Sequence, residues 1–315
     1  MKNGSGRPEV VVITGASAGV GRATAKAFAK RGAKIGLIAR GTAGLEGAKR
    51  DVESLGGTAL ILKADVADAD ALEQAAARVE EELGPIDIWI NNAMNSVFSP
   101  VKETTAEEFR RVTEVTYLGY VYGVQAALRR MLPRDRGTIV NVGSALAYRG
   151  IPLQAAYCGA KHAIQGFTES LRTELIHDGS RIHLTEVHLP AINTPQFRWV
   201  KSRLPKKSQP VPPIFQPELA ADAILLAIEE RRRQVWLAWP VYQTILGNMV
   251  APWYVDRKLA ADGYDGQQMD EPYEERPHNL WEPVDEKEDY GVHGEFDDRA
   301  SDWSPVYWAT RRRNA

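Results

Sequence analysis

The chain has 315 residues, 44% of them hydrophobic and 25% charged, with a formal net charge of -2 at pH 7. That length buries one large core with an extension, or two modest domains, and a charge so near zero gives no electrostatic case for a nucleic-acid partner. A single cysteine, Cys158, excludes an internal disulfide framework and a cysteine metal cluster, and it fits a reducing cytoplasm. The opening MKNGSGRPE is polar and glycine-rich, and no apolar signal region follows it.

Over the first two hundred residues short apolar runs alternate with amphipathic segments. EVVVITG (9–15) predicts a buried strand, and GRATAKAFAKRG (21–32) a helix that stops at Gly32. The strand AKIGLIAR (33–40) and a helix from Gly44 precede a third strand, TALILKADV (58–66). A helix from Asp70 leads to the strand IDIWINNA (86–93), and one long helical stretch spans 105–131. The strand GTIVNVGS (137–144), a helix holding Tyr157 and Lys161, and the strand IHLTEVHLP (182–190) complete the pattern. Strands apolar throughout and separated by helices make a parallel sheet covered on both faces, a doubly wound α/β fold. Ligands bind such sheets at the carboxyl ends of the strands.

Beyond Pro190 the texture changes. Residues 191–217 are rich in proline and basic side chains without periodicity, which predicts a mobile loop or lid. Its group Arg198, Lys201, Arg203, Lys206 and Lys207 suits a solvated lid, or attraction of an anionic substrate. A helix from Pro217 and a strand, QVWLAW, close a domain at 239, leaving 240–315 as a C-terminal extension. Residues 235–255 carry no charge and approach a membrane-spanning length, but Pro240 and Pro252 cut the run into pieces too short to span. The expectation is broken helices docked near the substrate pocket. From 262 onward 15 acidic residues face 6 Lys or Arg, and three tryptophans sit among them. Such aromatics predict a tail anchored by its rings.

Three stretches carry chemistry. TGASAGVG (14–21) lies between the first strand and first helix, where Gly15, Gly19 and Gly21 let backbone approach a pyrophosphate at the helix N-terminus. Arg40 ends the second strand, where a guanidinium suits a ribose 2′-phosphate and so NADP over NAD, with Arg22 as added charge. Tyr157 and Lys161 stand four apart and share one helix face, the pairing that lets a lysine favour a tyrosinate for proton transfer. His162 falls off that face, and His183 and His188, five apart on a strand, point to opposite sides, so no metal pair is expected. Cys158 is expected to be a small buried filler.

With ADV (64–66), NNA (91–93), GS (143–144), YCGAK (157–161) and PAINT (190–194), the chain resembles the short-chain dehydrogenase/reductases in their shorter form, from about 9 to 239. The resemblance implies a Rossmann-type sheet and an NADP(H)-dependent interconversion of an alcohol and a ketone or aldehyde. It makes Tyr157 the general acid/base, Ser144 the holder of the substrate oxygen, and Lys161 a ribose ligand that lowers the tyrosine's pKa. Thr14, Gly15, Ser17, Gly19, Val20 and Gly21 would hold the pyrophosphate side, and Asp65, Val66, Asn91 and Ala93 the adenosine. Pro190, Ile192 and Thr194 would border the nicotinamide. Two positions depart from the pattern. Thr116 replaces an asparagine whose main-chain carbonyl holds a water beside the lysine, and Met94 replaces a glycine. The first leaves open a nucleotide-binding regulatory or scaffold protein with little turnover. The resemblance further implies a homodimer or homotetramer through the helices at 105–131 and 157–177.

Overall fold

The structure is a computed structural model and describes residues 7–312; the first six residues of the polar start and residues 313–315 lie outside it. Its centre is a seven-stranded parallel sheet. In chain order the strands are β1 (Val10–Thr14), β2 (Lys34–Ala39), β3 (Thr58–Lys63), β4 (Ile88–Asn91), β5 (Thr138–Ser144), β6 (His183–Leu189) and β7 (Gln234–Trp236). Their order across the sheet is β7-β6-β5-β4-β1-β2-β3, so the direction of winding reverses between β1 and β4. Strands β1, β4, β5 and β6 are buried along their whole length, and the polar residues they carry, such as Asn91, Asn141 and Glu186, are buried with them.

Helices α1 (Gly19–Ala29), α2 (Thr42–Ser54) and α7 (Pro217–Glu229) cover one face. On the other lie α3 (Ala69–Glu82), α4 (Ala106–Thr113), α5 (Gly119–Met131) and α6 (Ala155–His177). The single helix expected over 105–131 is interrupted: Glu114–Leu118 form a π-helical turn between α4 and α5. The wide turn brings the Thr116 hydroxyl onto the Asn95 backbone, accepting from its N–H at 3.1 Å and donating to its C=O at 3.0 Å. No proline or glycine lies within the turn, and Gly119 follows it as the first residue of α5.

The segment 191–217 is not a free lid. Lys201–Ser202 pairs with Val97–Phe98, Lys206–Ser208 with Gln268–Pro272, and Ile214–Phe215 lies between Ala191–Ile192 and Ala300–Ser301. Its five basic residues meet four carboxylates: Arg198 on Glu295, Lys201 and Arg203 together on Glu108, Lys206 on Asp270, Lys207 on Glu271. The acidic tail and α4 supply the counter-charges, which removes the free positive surface expected for an anionic substrate.

Glu108 is the pivot of that clamp. It closes the capping box of α4 with Thr105 and receives Lys201 at 2.7 Å and Arg203 at 2.8 Å. Burial alone would push its carboxyl up, but the hydrogen bonds from Arg203, Lys201 and the Thr105 N–H hold it at about 2, against 4.5 unperturbed. A depressed carboxylate contributes stability that is present above its unfolded pKa and is lost as pH falls through its folded one. Glu108→Gln is therefore expected to cost about 3 kcal/mol at pH 7 by urea unfolding. That deficit should shrink below pH 4.5 towards 2.

Helices α8 (Trp239–Val250) and α9 (Pro252–Asp262) break at Ala251, as Pro252 requires. No helix among the described residues is long and apolar enough to cross a membrane. The tail beyond is held by side chains other than the rings of Trp281, Trp303 and Trp308, which are all exposed, as are Trp239 of α8 and Trp253 of α9. The expected anchoring by those rings is corrected by where the apolar holes lie. Leu280 fills one beside Val97, Val112 and Ala156, and Phe296 another beside Phe197 and Phe98. Tyr307 reaches the main core.

Candidate active site

A cleft runs along the carboxyl ends of β1 to β6, with a cavity volume of about 460 Å³. Gly15, Ser17, Gly19, Val20, Arg40, Asp65, Val66, Ala93, Ser144, Tyr157, Lys161, Pro190, Ile192 and Thr194 all line it. It lies at the point where strand order reverses, the place ligands occupy in doubly wound sheets. Gly19 turns through φ +53, and the N-cap of α1 is Ala18, which has no polar side chain to cap it, so amides at that helix end lack a partner within the helix. One of them, Gly19 N–H, donates to Gly291 C=O of the tail at 3.3 Å.

Four candidates stand outside the cleft. The Thr14 hydroxyl accepts from Asn92 N–H at 2.9 Å and Ala93 N–H at 3.1 Å, bracing β1 against the end of β4. Gly21 packs against the Gly15 carbonyl so closely that an added Cβ would fall 2.2 Å from it. Asn91, expected at the adenosine, is wholly buried: it accepts from the Trp89 indole at 2.8 Å and donates to Asn141 at 2.9 Å. Its side chain lies in the core, and the chain leaving β4 at Asn92, Ala93 and Met94 lines the cleft. Thr116 is held on Asn95 instead of reaching Lys161.

At the far end Tyr157 and Lys161 occupy one side of α6. The Lys161 ammonium donates to Val142 C=O at 2.7 Å and to the Tyr120 hydroxyl at 3.1 Å, and lies 5.6 Å from the Tyr157 ring centre. Burial pushes Lys161 down to about 7. Burial also pushes the Tyr157 phenol up, opposite to the expected lowering, while the neighbouring Ser144 hydroxyl works the other way. A lysine directed at Val142 and Tyr120 does not offset desolvation of the phenol. Tyr120, fully buried one turn beyond Thr116, had no motif to mark it. Asn92 did: it belongs to NNA, and its amide donates to Thr14 C=O at 3.0 Å and Gly15 C=O at 3.2 Å.

Other singled-out residues have ordinary roles. Arg22 is buried, bonded to Asp51 at 2.8 Å and to Asp289 at 3.1 Å. His162 is exposed beside Cys158 C=O, His183 meets Ala227 C=O, and buried His188 meets the Tyr148 hydroxyl at 3.2 Å. Cys158 is free and buried.

A reversal-point cleft, a glycine-rich turn at its start and a tyrosine–lysine pair at its end define a nucleotide-dependent oxidoreductase of the doubly wound class. Residues 9–204 match the sequence model of the family described as short chain dehydrogenase. The chain belongs to that family. It is 33% identical over 270 residues to "Uncharacterized oxidoreductase YxnA" of Bacillus subtilis, covering 84% of this chain and 75% of that one. It is 32% identical to "Fatty acyl-CoA reductase" of Acinetobacter baylyi over 72% of this chain and 75% of that one. Human "Dehydrogenase/reductase SDR family member 7" is 38% identical over 53% of this chain and 50% of its own. The chain is thus a short-chain dehydrogenase/reductase, an enzyme whose family uses NAD or NADP.

Proposed function

We propose that the protein interconverts an alcohol and a ketone or aldehyde, with Tyr157 exchanging the proton on the substrate oxygen. The observation that carries this is the Ser144, Tyr157 and Lys161 group at the closed end of a cleft that begins at the glycine-rich turn. A nicotinamide dinucleotide bound there supplies the hydride. The α1 N-terminus would hold its pyrophosphate, Val66 and Ala93 would border the adenosine, and Ile192 and Thr194 the nicotinamide. Ser144 orients the substrate oxygen towards the phenol. Burial keeps the phenol protonated, the form that donates in carbonyl reduction.

NADP(H) was expected from Arg40, but that guanidinium donates to Trp281 C=O at 2.7 Å and Asn279 C=O at 2.5 Å. Both partners are neutral carbonyls, so Arg40 keeps its charge and still lines the cleft, and NADP(H) remains the cofactor proposed from it. On the substrate side Met94, Phe98, Leu146, Ile151, Phe197 and Leu259 give a largely apolar wall. A carbonyl on a hydrophobic body suits it, in keeping with the relative named as a fatty acyl-CoA reductase. A free, buried Cys158 is consistent with work in the cytoplasm, and a homodimer or homotetramer through α4, α5 and α6 completes the proposal. A panel of alcohols and carbonyls, long-chain aldehydes included, followed by nicotinamide absorbance with each dinucleotide, tests it. Turnover on hydrophobic carbonyls is the expected result. Tight nucleotide binding without turnover on any member would instead indicate the regulatory or scaffold role.

A further inference from the structure

Tyr120 lies behind the cleft wall, yet it touches Lys161 directly. It sits on α5 just after the π-helical turn Glu114–Leu118 and is 1% exposed. A buried phenol needs partners for its proton and for its oxygen. Burial keeps this one protonated, and its O–H donates to Val142 C=O at 3.0 Å. A carbonyl can only accept, so the direction of that bond is fixed. The phenol oxygen is left as an acceptor, and the Lys161 ammonium donates to it at 3.1 Å.

The same ammonium donates to Val142 C=O at 2.7 Å, so hydroxyl, carbonyl and ammonium close a triangle. An ammonium has three N–H bonds. Two lie within the triangle, and the third remains for the cleft, whose wall Lys161 helps to form. The Tyr120 ring adds to the hold, with the ammonium 4.7 Å from its centre against 5.6 Å from that of Tyr157. Other ionisable groups around Lys161 do not replace the hydroxyl. Among the described residues no carboxylate pairs with it: Glu186 of β6 acts on it through space, its carboxylate lying 3.9 Å from the Arg172 guanidinium. Burial keeps His188 of β6 neutral, and it meets the Tyr148 hydroxyl. Tyr157 of α6 is likewise kept protonated.

We propose that Tyr120 is a positioning residue for the reaction, its hydroxyl holding the Lys161 side chain at the floor of the site and favouring its charged form. The proposal rests on the reading that Lys161 and Tyr157 serve turnover. An acceptor bonded to an ammonium stabilises the charge more than it stabilises the neutral amine. Without that acceptor Lys161 should release its proton at lower pH. The charge that favours the phenolate left after proton donation is then lost earlier.

Tyr120→Phe tests this in the full-length protein, because it removes the oxygen and keeps the ring. Carbon-13 label at the lysine Cε positions, with the Lys161 signal assigned by its loss in Lys161→Ala, reads the titration without any substrate. That titration should fall by about one pH unit, the size expected for one hydrogen bond to a charged group. Reduction of decanal at saturating nucleotide should follow it, about tenfold slower than wild type near pH 8 and close to wild type near pH 5. Tyr120→Met, which fills the space with an unbranched apolar chain, should shift both in the same direction, so a packing defect in one variant leaves the other as a test. A titration unchanged in both variants, or a lower rate with the same pH dependence, overturns the role of Tyr120 and leaves the Tyr157 mechanism standing. A titration that moves while the rate profile stays put overturns the reading that Lys161 serves turnover, and the proposal with it.

Discussion

Tyr157→Phe is expected to lower kcat by about 10³-fold or more while nucleotide affinity stays close to that of the wild type, because the phenol acts mainly in the transition state. The change removes one oxygen from a ring already seated in the cleft wall, so packing is preserved. Lys161→Ala should reduce both turnover and nucleotide affinity, since that ammonium braces Val142 and Tyr120 at the floor of the site. The pair also sets a pH dependence. Burial holds Lys161 at about 7, so its positive charge, which favours the phenolate left after proton donation, is present below that pH and lost above it. Carbonyl reduction should therefore be fastest on the acid side of about 7 and decline above it. Steady-state rates across pH, with nucleotide titrations of each variant, measure all of this. A phenylalanine variant turning over within a few-fold of wild type would sink the mechanism.

Much of this arrangement was readable from the amino acids because a parallel sheet buries both faces of its strands. The VVVI of β1 and the IWI of β4 are apolar at every position, so their runs stand out without structural help. The glycine-rich turn and the Tyr157–Lys161 spacing are equally local. What the sequence hid depends on distance. The residues 191–217 look mobile in isolation because their partners, Glu108, Asp270, Glu271 and Glu295, lie on other elements. Asn91 looked like a ligand residue because it stands in a motif, but its side chain lies in the core and Asn92 is the one at the glycine turn. Arg40 looked free for a phosphate because its main-chain partners belong to residues 279 and 281. Hydrogen bonds to carbonyl groups leave no side-chain signature.

Removing residues 264–315 is the second change expected to have a large effect. The tail supplies Leu280, Phe296 and Tyr307 to apolar holes, and each buried side chain of that size contributes about 1.5–3 kcal/mol before the entropy of ordering the segment is subtracted. It also supplies carboxylates to Arg22, Arg198, Lys206 and Lys207, and its removal takes those ion pairs away while Arg22 keeps Asp51. A net loss of about 3 kcal/mol would lower Tm by about 6–12 °C in a chain of this size. Nucleotide affinity should fall as well, because Asp285 and its neighbours form one wall of the cleft. Limited proteolysis of the intact protein should accordingly leave the tail attached. Two point variants identify the anchor. Phe296 is 1% exposed, and Phe296→Ala should cost about 3–5 kcal/mol. Trp303 is 56% exposed, and Trp303→Ala should change stability by no more than about 0.5 kcal/mol. If the tryptophan variant were the more damaging, the tail would be held by its rings after all, and rapid trimming without loss of Tm or affinity would make it an appendage.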